Sequence, residues 1–470
     1  MQSGYLARVD AGPGLHPGYG TAIGRRSLLL AASALALPAW AQLAVPPLAL
    51  TQRTLANGLQ VIASPDPRAA TVSVQVWYRV GGKDDPVGRS GFAHLFEHMM
   101  FKATKHMKAE QFDRLTEDVG GMNNAFTAED MTGYEALVPS NHLERILWAE
   151  AERMSSLTVD QANFDSERLV VQEEFRQRVL AEPYGLLFNA MASEGFERHP
   201  YKRPVIGNIE DLNAATLDDV RRFHATYYRP DNAVLIVTGG FDARQLDAWV
   251  DRYFGGLQRP ATPIPRVNVA EPRLARDRVV ALSGANVPLP AALLIWQAPK
   301  VASPDTKALR VAQALLSAGE SSRLNEALVY RQNIAQSAGF EAAQYADAGL
   351  LIAFAIAAGK QRADQLVAPL MHEITRLATG PISAAELDKV KTGLLTTALV
   401  ARETPQGRAA AIGQAVVLQG DAHAVNRELS ELQAVTAADV QSVLKTYVLD
   451  ARRVTIHYTQ AQTKKKGAKS

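Results

Sequence analysis

One pattern of residues occurs twice in this chain, 220 positions apart. Thr216-Leu217-Asp218-Asp219-Val220, then Thr226-Tyr227, then Val234-Leu235-Ile236 form the first copy. Thr436-Ala437-Ala438-Asp439-Val440, Thr446-Tyr447 and Val454-Thr455-Ile456 form the second (436 − 216 = 220; 446 − 226 = 220). In both, a Thr with an Asp three residues on reads as a helix-capping box, with a strand after the helix. A repeat this long means two like domains rather than a solenoid of short units. The length agrees, since 470 residues are too many for one ordinary core. Pro260, Pro263, Pro265 and Pro272 lie between the copies and resist helix, so that stretch suits an extended linker. The expected domains are residues 43–257 and 276–460, joined by a linker over 258–275.

Each half mixes strands and helices without a clean alternation, so the expected class is α+β. Thr71 to Tyr78 alternates valines with other residues and predicts a strand. Lys108 to Val119 reads as a helix ended by Gly120-Gly121. Phe126 to Val138 reads as a hairpin turning near Glu129-Asp130.

The first half carries His94-Leu95-Phe96-Glu97-His98. Histidines four apart on a helix project from one face and can grip one metal ion. A glutamate beside them can handle the protons of a metal-bound water. The order H-x-x-E-H is the inverted zinc-protease motif. With no cysteine in the chain, any metal site must use histidines and carboxylates. A tetrahedral catalytic zinc needs a third protein ligand. An acidic helical segment, Glu167-Arg168-Leu169-Val170-Val171-Gln172-Glu173-Glu174, offers one. Glu167 and Glu174 share a helix face, and Glu173 points about 100° away. Spacing within the helix does not choose between Glu173 and Glu174. The other histidines, among them His106, His199 and His224, lack metal spacing with a partner.

These stretches resemble the M16 (pitrilysin-like) metallopeptidases, in particular their short bacterial and mitochondrial-processing-peptidase branch. The resemblance rests on H-x-x-E-H followed by a helix of the form E-R-x-V-x-x-x-E, and covers about residues 48–460. It implies that His94, His98 and Glu174 hold Zn²⁺, with Glu97 as general base and Glu167 in support. Gly120-Gly121-Met122-Asn123-Asn124-Ala125-Phe126-Thr127 resembles the family's substrate-binding strand, which makes Asn124 a substrate-binding candidate. The implied fold, of the LuxS/MPP-like metallohydrolase type, is a pair of domains, each a mainly antiparallel sheet with helices packed on one side. They close a chamber around peptide substrates. The non-zinc half of the family supplies an Arg and a Tyr seven apart, and here those positions fall at Val329 and Gln336. Arg323 and Tyr330 have the spacing but not the register. The resemblance therefore implies a heterodimer in which a homologous M16 subunit supplies the pair. The alternative is a non-catalytic, chaperone-like subunit of such a complex.

Arg25-Arg26, an apolar run from Leu28 to Leu37 and Ala39-Trp40-Ala41 read as a signal peptide over residues 1–41. The expectation is a periplasmic protein with no permanent membrane anchor, because the apolar run is short for a bilayer. A net charge of +2 gives no argument for nucleic acid. The lysines of 461–470 read as a solvated tail.

Overall fold

The computed structural model describes residues 45–461. The expected leader and all but the first residue of the expected tail lie outside the described residues. The first half holds a six-stranded sheet of β1 (Thr51–Thr54), β2 (Gln60–Pro65), β3 (Thr71–Tyr78), β4 (Met122–Thr127), β5 (Thr132–Pro139) and β6 (Ala233–Gly239). Its order is β1-β2-β6-β3-β5-β4, antiparallel except for β2 with β6. The second half holds β7 (Arg278–Gly284), β8 (Ala291–Ala298), β9 (Ala335–Gln344), β10 (Gly349–Ala357) and β11 (Arg453–Gln460). Their order is β7-β11-β8-β10-β9, antiparallel except for β7 with β11. The class is α+β with two homologous domains.

The repeat reaches well beyond the residues that revealed it. The limits of β3 and β8 differ by 220 at both ends (291 − 71 and 298 − 78), and β6 and β11 begin 220 apart (453 − 233). The two Thr–Asp capping boxes are both formed, with Thr216 accepting from the Asp219 amide and Thr436 from the Asp439 amide.

Five helices of the first half build or support the candidate site and the domain contact: α1 (Phe92–Met99), α2 (Gln111–Glu117), α3 (Leu143–Ser156), α4 (Gln161–Phe175) and α5 (Gly185–Gly195). Strand alternation sends Val72, Val74 and Val76 of β3 into the core shared with α1 and α3. The opposite face of that sheet presents Ile62, Trp77, Val234 and Ile236. It is covered by the helix Pro405–Gln419, which comes from the second half and brings Ala409, Ile412 and Val416. The exchange is reciprocal. Helix α5, 220 residues earlier in the chain (405 − 185), crosses to the second sheet and packs with Leu293, Ile295, Ile352 and Val454. Each half thus completes the other's core, and the apolar residues on both faces of each sheet follow from that.

Two local expectations shift. Helix α2 starts at Gln111 rather than Lys108, because Glu110 takes a left-handed backbone (φ 63°) that a continuous helix does not allow. The hairpin turns at Glu129-Asp130, but its first strand starts at Met122, where Met122 pairs with Leu137.

Candidate metal centre

Helix α1 is set by its N-terminus. Gly91 has φ 92°, and a Cβ there would come 3.0 Å from the Ile206 carbonyl oxygen, so glycine is required. The buried Asp85 carboxylate accepts from the Gly91 amide at 2.7 Å and the Ala93 amide at 2.9 Å, an anion on two free helix N–H groups. Burial nevertheless pushes Asp85 up to about 7, with the two amides opposing the shift. Phe92, Leu95, Phe96 and Met99 anchor the helix in the core, which leaves His94 and His98 facing α4.

His94, His98 and Glu174 converge. Nε2 of His94 lies 3.4 Å from Glu174 Oε2, and Nε2 of His98 lies 3.5 Å from the same oxygen. One atom from each residue falls within 4.8 Å of the others. These separations exceed ordinary hydrogen-bond lengths. They match neighbouring ligands of a tetrahedral zinc, which stand about 3.4 Å apart when each is about 2.1 Å from the ion. The donor set, two imidazoles and one carboxylate, suits zinc as well.

The structure separates Glu173 from Glu174. Glu173 is exposed and bound to Arg176 and Gln177. Glu174 turns inward, and its second oxygen, Oε1, meets Arg178 at 2.8 Å. Glu167 stands behind His98, with Oε2 3.5 Å from His98 Nδ1 and Oε1 2.7 Å from Lys102 Nζ. Glu97 is buried on the same helix, and its Oε2 accepts a hydrogen bond from the Thr127 hydroxyl at 2.7 Å. Glu97, His98, Glu174, Phe101, Asn123 and Asn124 line a common cleft of about 350 Å³. Asn124 is exposed on β4, the end strand of its sheet.

Electrostatics distinguish the two histidines. Burial, aided by the charge on His98, pushes His94 down to about 4. Burial also disfavours the charged form of His98, but Glu167, Glu174 and Glu97 outweigh it and raise His98 to about 9. Burial works against the Glu174 charge, yet His98, His94 and Arg178 hold it at about 2. Glu97 is raised by burial, partly offset by the Thr127 hydrogen bond.

Sequence reasoning missed Thr127, Lys102 and Arg178 as site residues. Thr127 ends the stretch that resembles the family's substrate-binding strand. Lys102 and Arg178 each lie four residues beyond a candidate ligand, His98 and Glu174. In the second half, the 220 offset places Ala314, Ala318 and Leu394 where the first half has His94, His98 and Glu174. Arg323 is held by Glu386 through Nε at 2.7 Å and Nη2 at 2.8 Å, and Tyr330 is 55% exposed. No helix among the described residues is long and apolar enough to cross a membrane.

Residues 60–209 match the family described as Insulinase (Peptidase family M16), and residues 214–394 match its Peptidase M16 inactive domain. The zinc protease PqqE of Helicobacter pylori is 33% identical over 340 residues, covering 72% of this chain and 77% of that protein. A probable mitochondrial-processing peptidase subunit beta of Arabidopsis thaliana is 25% identical over 405 residues, 84% of this chain and 76% of the relative. The crystal structure of a protease from Helicobacter pylori superposes with a TM-score of 0.85 at 29% identity, covering 88% of this chain and all of that one (100%).

Proposed function

The chain belongs to the M16 peptidase family, and from that premise we propose that it is a zinc-dependent endopeptidase acting on peptides or unfolded segments. The observation that carries the reading is the meeting of His94, His98 and Glu174 at co-ligand spacing beside a buried glutamate. A zinc ion bound there supplies Lewis acidity towards water and the peptide carbonyl. Glu97 takes the proton from the attacking water and returns it to the leaving amine. Glu167, backed by Lys102, fixes the ring of His98. The outer edge of β4, where Asn124 lies, receives the substrate as an added strand. Such main-chain pairing reads little sequence and favours extended chains.

The reading extends to a partner and a place. Val329 and Gln336 occupy the positions of the family's Arg and Tyr, Arg323 is bound to Glu386, and Tyr330 faces outward. A homologous subunit supplying the pair would complete the oxyanion site and close the chamber. The leader pattern over residues 1–41 supports a periplasmic place for the complex. Three ligand atoms held at this spacing beside a buried glutamate favour this reading over a non-catalytic, chaperone-like subunit.

The test is metal analysis with cleavage of fluorescent casein, with and without protein co-purified from the native periplasm. The reading expects bound zinc, cleavage abolished by chelator, and greater activity with the partner. Absence of zinc, or cleavage indifferent to chelator, refutes it.

A further inference from the structure

The strand that would receive substrate is tied to the other half of the molecule. Thr127, the last residue of β4, donates to Glu97 Oε2 at 2.7 Å. Three residues on, the turn between β4 and β5 carries Asp130, a carboxylate only 4% exposed. Its Oδ1 accepts from the Tyr201 hydroxyl at 2.6 Å and lies 3.2 Å from Lys83 Nζ. Its Oδ2 accepts from the amide of Ala346 at 2.9 Å. Ala346 belongs to the second half, in the turn between β9 and β10, and the Asp347 amide of that turn donates to the Tyr201 hydroxyl at 3.2 Å. The backbone of the first turn is also held, with the Gly82 and Lys83 amides donating to the Ala128 and Glu129 carbonyls, each at 3.0 Å.

We propose that this turn is the arm by which the second half aims Glu97. Thr127 is a positioning residue for the Glu97 carboxylate, and Asp130 holds Thr127 in place by binding the turn to Ala346. The inference rests on the endopeptidase reading and gives the half without ligands a part in the chemistry. The physical reason is reach. A general base acts only within hydrogen-bond distance of its proton, and Glu97 has rotatable bonds that a single hydroxyl restrains. A displacement of about 1 Å at such a group can cost about 100-fold in rate. The Asp130 contacts come from three separate segments, so the turn cannot drift while they stand.

The test uses the full chain, with its partner present where activity needs it, and fluorescent casein as probe. Thr127→Val removes the hydroxyl at nearly constant shape. It should lower kcat about 10- to 100-fold with KM within about twofold and zinc content unchanged. Thr127→Ser should restore most of the lost rate. Asp130→Ala should lower kcat in the same direction. In the metal-free protein it should also speed amide hydrogen exchange over residues 122–127 by about 10-fold or more. Asp130→Asn serves if the alanine variant does not fold. Wild-type kcat in Thr127→Val beside an inactive Glu97→Gln overturns the inference and leaves the endopeptidase reading intact. Unchanged exchange over 122–127 in the Asp130 variant overturns the tie to the second half. Equal activity of Glu97→Gln and wild type overturns the endopeptidase reading and the inference together.

Discussion

Glu174 Oε2 lies 3.4 Å from His94 Nε2, although the residues stand 80 apart in the chain (174 − 94). The separation is too long for a good hydrogen bond and right for two ligands of one ion. Glu174→Gln should therefore abolish stoichiometric zinc, whereas Glu173→Gln, one residue away and turned to solvent, should retain about one zinc per chain. Elemental analysis after dialysis reads both. Zinc retained by the Glu174 variant and lost by the Glu173 variant would reverse the assignment.

On the endopeptidase reading, Glu97 separates binding from chemistry. It is no ligand in this arrangement, so Glu97→Gln should keep zinc and lose cleavage by about 100-fold or more. His94→Ala should lose both. Zinc content and casein cleavage on the same samples give the comparison, and an active Glu97→Gln would remove Glu97 from the role of base.

Glu167 should tune affinity rather than rate. It touches His98 Nδ1 and Lys102 Nζ but is not in the group of atoms that converge on the metal position. Glu167→Gln should weaken zinc binding about 10- to 100-fold, with kcat recovered at saturating zinc. Competition with a fluorescent chelator measures the first part. A variant with wild-type affinity would make Glu167 a mere partner of Lys102.

How much of the fold and site was legible in the sequence depends on whether the signal was local. H-x-x-E-H places two histidines on one face with no knowledge of the fold, because helix geometry is fixed. The 220-residue offset announced two like domains because the capping boxes and strands are local patterns too. The choice of Glu174 over Glu173 was not local. It depends on which face of α4 meets α1, and only the resemblance to a known family reached it from the sequence. Thr127 was harder still, since its contact with Glu97 spans two elements and threonine on a strand needs no special explanation. The exchange of α5 and the helix Pro405–Gln419 left only an indirect trace, in apolar residues at Ile62, Trp77 and Ile236 that a sheet with one open face would not show.

Asp85 makes stability depend on pH. Its folded value is raised to about 7 from an unfolded value near 3.8, chiefly by burial. A carboxyl shifted upward favours the native state most below the unfolded value, and the contribution fades as pH rises from about 4 through about 7. The thermal midpoint should therefore fall between pH 5 and pH 8 by more in wild type than in Asp85→Asn, which cannot ionise. Calorimetry at the two pH values decides the point. A variant with the same pH dependence as wild type would show that the two amide hydrogen bonds, not burial, govern Asp85.

The reciprocal helices predict how the molecule unfolds. Gly413 of the helix Pro405–Gln419 sits against Trp77 of β3, and a Cβ at Gly413 would come 2.6 Å from the indole ring. Gly413→Leu forces that contact apart, and overpacking of this kind costs about 1–3 kcal/mol. The strained surface belongs to one half and the strained helix to the other. If each half completes the other's core, loosening the Trp77 contact must weaken both. Hydrogen exchange in Gly413→Leu should then rise in β8 and β10 of the second sheet as well as in β3 and β6 of the first, and wild type should melt in a single transition. Two resolved transitions, or faster exchange confined to the first sheet, would mean that the halves fold independently and that the crossing helices merely dock.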